Sequence, residues 1–147
     1  MTAPDLVAMN QAMSARLQAA PAQPLVQGGY ALRAVRTTGR RSGTSRTTPL
    51  AVVQLDGREY LVSPDPTRAW VRNLEAEPAC ELVSADETVQ RTAVRAAAAE
   101  AAPVISAYLR SMQVPWALRA FPVPAEASIA EITEHIATIV TFRLDPR

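Results

Sequence analysis

The densest anion-binding run in the chain is Thr37-Thr38-Gly39-Arg40-Arg41-Ser42-Gly43-Thr44-Ser45-Arg46. Arg40, Arg41 and Arg46 are planar, permanently charged forks that take phosphate or carboxylate in bidentate fashion. Gly39 and Gly43 let the backbone bend, so that successive amides face one anion. The same run also reads as a solvated hairpin loop carrying basic side chains. A second constellation is Trp70-Val71-Arg72-Asn73-Leu74, close behind Asp65-Pro66. A helix start there favours an anion. Trp70 can stack on a planar ligand and Asn73 can hydrogen-bond one, although the spacing equally suits a tryptophan buried in a core.

Several chemistries are absent. With one histidine, His135, and one cysteine, Cys80, the chain has no multi-histidine zinc site, cysteine-rich metal site or internal disulfide framework; no metal is implied. His135 falls at the end of an expected helix, where an imidazole more often stabilises the last carbonyls than does acid–base work. There is no G-x-S-x-G elbow and no G-x-G-x-x-G fingerprint. All fifteen basic residues are arginine, so a Walker loop, which needs lysine, is excluded.

These groups need elements to hold them. Met1 to Ala20 reads as a helix, with Leu6, Met9, Met13 and Leu17 on one apolar stripe and Pro21 and Pro24 as its stop. This helix either docks on the body or serves as an arm that covers a site or touches a membrane. Leu25–Thr37 reads as a strand with a bend at Gly28-Gly29; Tyr30, Leu32 and Ala34 share one face and Arg33 lies opposite. Thr38–Arg46 is a loop and Thr47–Leu55 the next strand. Asp56-Gly57 signals a tight hairpin into Arg58–Ser63. Asp65 then reads as an N-cap with Pro66 at the first helical position, and Trp70 and Leu74 face the core of a helix ended by Pro78. Ala79–Ser84 and Thr88–Ala96 form another hairpin. Ala97–Met112 is a helix with the stripe Ala101, Ile105, Tyr108 and Met112. Val114–Pro124 is a proline-broken connection, Ala125–His135 a short helix and Thr138–Leu144 a last strand. Two hairpins and an excess of strands argue an antiparallel sheet or closed barrel with helices packed outside, an α+β class. The division expected is an N-terminal helical arm, 1–24, followed by a single domain, 25–147.

The chain's 147 residues suit one domain with its own core. Its net charge of +1 gives no global field for nucleic acid. No apolar run approaches the roughly 20 residues of a membrane span. Asp5 and the lack of a basic start argue against a signal peptide, so the expected location is cytoplasmic, with peripheral membrane contact through the first helix as the variant.

Arg36-Thr37-Thr38-Gly39-Arg40-Arg41-Ser42-Gly43, followed by Arg46-Thr47-Thr48-Pro49-Leu50, resembles the signature loop of the deazaflavin-dependent nitroreductase family, which uses coenzyme F-420. The likeness continues through Asp56-Gly57, Tyr60-Leu61-Val62-Ser63, Trp70-Val71-Arg72-Asn73-Leu74 and Val140-Thr141-Phe142-Arg143-Leu144, covering about residues 25–144. It implies an antiparallel split β-barrel of the pyridoxamine-phosphate-oxidase-like, FMN-binding kind, with peripheral helices. It implies that Gly39, Arg40, Arg41, Ser42, Gly43 and Arg46 grip the coenzyme's phosphate and that Thr48 and Pro49 line the path to its ring. Ser63, Trp70 and Asn73 would shape the wall beside the deazaflavin. One departure stands out: where the family usually has glycine, this chain has Pro64-Asp65-Pro66-Thr67, which removes two amide donors and adds a charge.

The function so implied is hydride transfer from reduced coenzyme F-420 to an electron-poor small molecule: a nitroarene, quinone or conjugated enone. Tyr30, Ser63 and Tyr108 are the hydroxyl candidates for the accompanying proton. The alternatives are an FMN-dependent oxidoreductase on the same barrel and a non-catalytic barrel that binds a cofactor or apolar ligand. The resemblance also admits a homodimer, to which the first helix would contribute.

Overall fold

The structure, a computed structural model, describes residues 6–147. Six strands form a closed antiparallel barrel: β1 (Tyr30–Thr38), β2 (Ser45–Leu55), β3 (Arg58–Ser63), β4 (Ala79–Val83), β5 (Thr88–Arg95) and β6 (Val140–Pro146). Their order around the barrel is β1-β2-β3-β6-β5-β4. Five helices accompany them among the described residues: α1 (Leu6–Ala19), α2 (Ala69–Ala76), α3 (Ala98–Ser111), α4 (Pro115–Arg119) and α5 (Ile129–Glu134). The antiparallel barrel with outer helices is the architecture expected. No helix among the described residues is long and apolar enough to cross a membrane.

Two hairpins follow their local chemistry. Asp56 and Gly57 both have positive φ, 52° and 77°, as a two-residue turn matched to the strand twist requires. Ser84 N–H closes the β4–β5 turn on Glu87 O at 2.9 Å. The β3–β6 pairing, Glu59 opposite Leu144 through Ser63 opposite Val140, is long-range. It and β5–β6 seat the last strand in the barrel wall.

The core has two compartments. Inside the barrel, Val35, Val52, Leu61, Leu82, Val140 and Phe142 meet Trp70, Val71 and Leu74 of α2. Outside it, Val53, Tyr60 and Val62 pack against α3 through Ala101, Ile105, Tyr108 and Met112, all buried as the stripe predicts. Covering both faces makes β1 depart from simple alternation: Arg33 is buried and Leu32 is 38% exposed. The Arg33 guanidinium is satisfied by the carbonyls of Leu32 and Gln23. Burial also pushes the Cys80 thiol up to about 11, so it stays protonated at neutral pH.

Several boundaries differ from those expected. Residues 25–29 are not strand; Gly28 N–H bonds Gln54 O and Gln54 N–H bonds Gly29 O, so the bend precedes β1. Met9 does not join an apolar stripe: it is 54% exposed, while Met13 and Leu17 are half-buried and Ser14 is buried. The part of that helix before Leu6 lies outside the described residues. Asp65 is not a helix cap. Its carboxylate accepts from Thr67 N–H and Oγ1 at 2.8 and 2.7 Å, which closes a separate turn, and α2 starts later, behind Arg68. The connection 114–124 contains the helical turn α4, with Pro115 at its start. α5 is shorter than expected because Ser128 and Glu131 form a capping box that sets its first turn.

Candidate functional site

The arginine run closes the β1–β2 hairpin as a built loop. Gly39 N–H bonds Thr44 O at 2.7 Å and Gly43 N–H bonds Gly39 O at 2.8 Å. Gly43 takes φ +73°, which an L side chain rarely adopts. A Cβ on Gly39 would meet Ser42 Oγ at 3.0 Å and Thr44 O at 3.1 Å, so close packing selects glycine there. Ser42 Oγ and Thr44 Oγ1 share a hydrogen bond of 2.7 Å.

The loop leans on α2. Asn73 Oδ1 accepts from Arg40 N–H at 3.1 Å and from Arg40 Nη1 at 3.4 Å, and its Nδ2 donates to Thr37 Oγ1 at 3.4 Å. Asn73 and Thr37 are buried, 4% and 2% exposed. Arg40, Arg41 and Arg46 are exposed and pair with no carboxylate among the described residues.

The contrast with the other end of β2 is sharp. Two clefts of about 420 and 530 Å³ open there, beside Arg58. Their arginines are already neutralised: Arg91 by Glu59 at 3.0 Å, and Arg143 by Glu100 at 3.0 Å and Asp145 at 2.6 Å. Arg40, Arg41 and Arg46 of the glycine loop have no such partner among the described residues.

The remaining predicted residues fall into three places. Thr48 and Pro49 sit half-buried on β2, opposite Val35 and Ala34. Trp70 is in the barrel interior, 5% exposed, its ring centroid 6.2 Å from that of Phe142. Ser63 is fully buried at the end of β3; its Oγ donates to Asp65 O at 2.7 Å and accepts from Asp65 N–H at 3.2 Å. That hydroxyl locks the Pro64-Asp65-Pro66 turn.

Tyr30 and Tyr108 stand together, ring centroids 6.4 Å apart, with Phe121 5.3 Å from Tyr108. Neither phenol oxygen has a hydrogen-bond partner among the described residues, and Tyr108 is not one of the fully enclosed unpaired groups. Burial raises the Tyr108 phenol above its ordinary value, and the Arg68 cation at the head of α2 opposes that rise. Hydrogen bonds from Thr67 hold the Asp65 carboxyl below its usual range, helped by Arg68 and Arg72. The acidic departure from the family pattern is thus charge-compensated. α2 links the two halves of this surface: from Asn73 at the loop back to Arg68 is five residues, about 7.5 Å of helix rise.

Sequence reasoning passed over Arg68 and Arg72. Both are exposed, and both lack a carboxylate within salt-bridge distance among the described residues. Their positions in and before the first turns of α2 were a usable signal, since a cation beside an exposed helix start strengthens an anion site.

Comparison with solved structures places the barrel among known folds. An F420-H2 dependent reductase aligns over 84% of this chain and 99% of its own, at TM-score 0.50 and 23% identity. A heme binding protein from Mycobacterium smegmatis aligns over 100% of this chain and 53% of its own, at TM-score 0.53 and 14% identity. A structure described as a domain-swapped dimer aligns over 96% and 98%, at TM-score 0.50 and 22% identity. At such identities these likenesses establish the split-barrel fold. No curated protein matches the chain by sequence. Residues 9–121, however, match a family of reductases. The chain belongs to the F420H2-dependent quinone reductase family; it is an oxidoreductase whose cofactor is coenzyme F-420.

Proposed function

We propose that this protein reduces an electron-poor small molecule, a quinone before a nitroarene or conjugated enone, at the surface between the arginine loop and the head of α2. The observation that carries this reading is the glycine loop, docked on α2, whose Arg40, Arg41 and Arg46 have no carboxylate partner among the described residues.

When bound, the coenzyme supplies the hydride chemistry. The chain supplies position and charge. Arg40, Arg41 and Arg46 bind its phosphate, with the Arg41 and Ser42 amides, unbonded among the described residues, as further donors. Thr48 and Pro49 flank the path along β2. Ser63 acts through the turn it locks, since both its donor and acceptor capacities are occupied by Asp65. Trp70 supports the wall from inside the barrel rather than by stacking on a ligand. Of the three hydroxyls, Tyr108 Oη fits the proton role best. It has no hydrogen-bond partner among the described residues, keeps its proton at neutral pH, and lies within electrostatic reach of Arg68. Tyr30 lines the same aromatic cluster. A homodimer is part of this proposal, supported by the domain-swapped neighbour, and the cytoplasm is its place of action.

The test is a fluorescence titration of the purified protein with coenzyme F-420, run beside FMN, followed by turnover with quinone, nitroarene and enone acceptors. Selective F-420 binding with fastest quinone reduction is expected. Preference for FMN, or binding without quinone turnover, overturns the reading. Tyr108→Phe should leave the F-420 dissociation constant unchanged and lower kcat by about a hundredfold, the low end for general-acid catalysis. Because the working form is the protonated phenol with a raised pKa, the wild-type rate should persist through pH 9 and fall only above about pH 10. An unchanged kcat would remove Tyr108 from the mechanism.

A further inference from the structure

We infer that Asn73 is a positioning residue: its carboxamide sets the arginine loop in its binding shape and does not itself touch the coenzyme. The inference rests on the functional reading above for what the loop binds, and on geometry for how the loop is held.

The loop's other hydrogen bonds are internal. Gly39 to Thr44, Gly43 to Gly39 and Ser42 to Thr44 close the bend on itself. Among the described residues, Asn73 provides the hydrogen bonds that tie residues 39–44 to an element outside the β1–β2 hairpin. A carboxamide offers an oxygen with two lone pairs and a nitrogen with two donors. Arg40 uses the oxygen twice, through its backbone N–H and its guanidinium, and Thr37 takes one donor. Asn73 is also 4% exposed. It therefore has little surface and one N–H left for a ligand.

The consequence is preorganisation. A loop of exposed arginines on two glycines has many conformations, and an anion must pay to select one. Asn73 removes part of that freedom beforehand, because fixing the Arg40 backbone also sets the direction from which Arg40 and Arg41 leave the loop. The placement is specific: Thr37 precedes the loop, Arg40 lies within it, and Asn73 reaches both from across the fold.

The experiment uses Asn73→Ala in the full chain, with Thr37→Val as a second variant that cuts only the anchoring half of the tie. Amide hydrogen exchange at Arg40 is measured in cofactor-free protein, and coenzyme F-420 affinity by fluorescence. Asn73→Ala should speed Arg40 exchange by at least about tenfold and weaken F-420 binding by about tenfold. kcat at saturating coenzyme should stay within about twofold, because the lost energy is ground-state binding. Thr37→Val should move exchange and affinity the same way, more weakly, and it decides the matter if Asn73→Ala does not fold. Weakened affinity with unchanged Arg40 exchange would mean direct contact and overturn the inference, as would unchanged affinity with faster exchange. If wild-type protein binds no F-420, the functional reading fails; Arg40 exchange in the two variants then still decides whether Asn73 holds the loop.

Discussion

Replacing Arg40 and Arg41 together by alanine is expected to weaken coenzyme F-420 binding by at least about thirtyfold, or about 2 kcal/mol. A hydrogen bond to a charged group contributes about 1.5–3 kcal/mol when closed. Two such side chains would exceed the stated figure if they were shielded. Both are exposed, so solvent screening reduces the sum. Fold stability should be nearly unchanged, since neither side chain pairs with a carboxylate among the described residues. Wild-type affinity should also fall as salt rises, and the double variant should lose most of that dependence. Arg110→Ala is the matched control, an exposed arginine on α3 whose side chain bonds Ser106 and no carboxylate among the described residues. Equal affinity for wild type and double variant, read by coenzyme fluorescence, would remove this loop from the site.

Trp70→Ala is expected to produce the largest stability loss of any single substitution considered, about 3–5 kcal/mol. Trp70 is 5% exposed and packs inside the barrel among Leu61, Val71, Leu74 and Phe142. Truncation leaves a cavity between α2 and the barrel wall that rigid strands cannot close. Against a typical total of about 5–15 kcal/mol, much of the variant would be unfolded at elevated temperature. Trp70→Phe should retain most of the stability and, with it, coenzyme affinity. Urea denaturation followed by circular dichroism separates the roles: a ligand-stacking tryptophan would cost affinity at little cost in stability. A loss below about 1 kcal/mol would contradict its place in the core.

These two expectations mark where local reading and three-dimensional structure part. Trp70 and Leu74 at four-residue spacing announce a buried helix face, and the spacing is right. The spacing does not say whether the ring meets Phe142 or a ligand, because Phe142 is supplied by a strand seventy-two positions away. Asn73 is the sharper case. From its neighbours alone it reads as a polar residue available to a ligand, whereas its partners Thr37 and Arg40 occupy its oxygen and one of its two N–H groups. Ser63 changes role for the same reason. The hydroxyl is a free donor on paper, and in the fold it is spent on the turn made by Asp65.

The sequence alone determined the antiparallel α+β class, the Asp56-Gly57 hairpin and the α3 stripe, and it marked Gly39–Arg46 as a candidate anion loop. Each depends on interactions within a few residues: turn dihedrals, helical periodicity, and guanidinium forks beside glycine. Tertiary structure decided the late start of β1, the delayed start of α2, the burial of Arg33 and the pairing of β3 with β6. It also decided which arginines remain free. Arg91 meets Glu59 across strands and Arg58 and Arg143 meet Glu100 of α3, while Arg40, Arg41 and Arg46 meet no carboxylate among the described residues. Charge is a property of a residue, but an unsatisfied charge is a property of its surroundings, and those are assembled only when distant segments pack together.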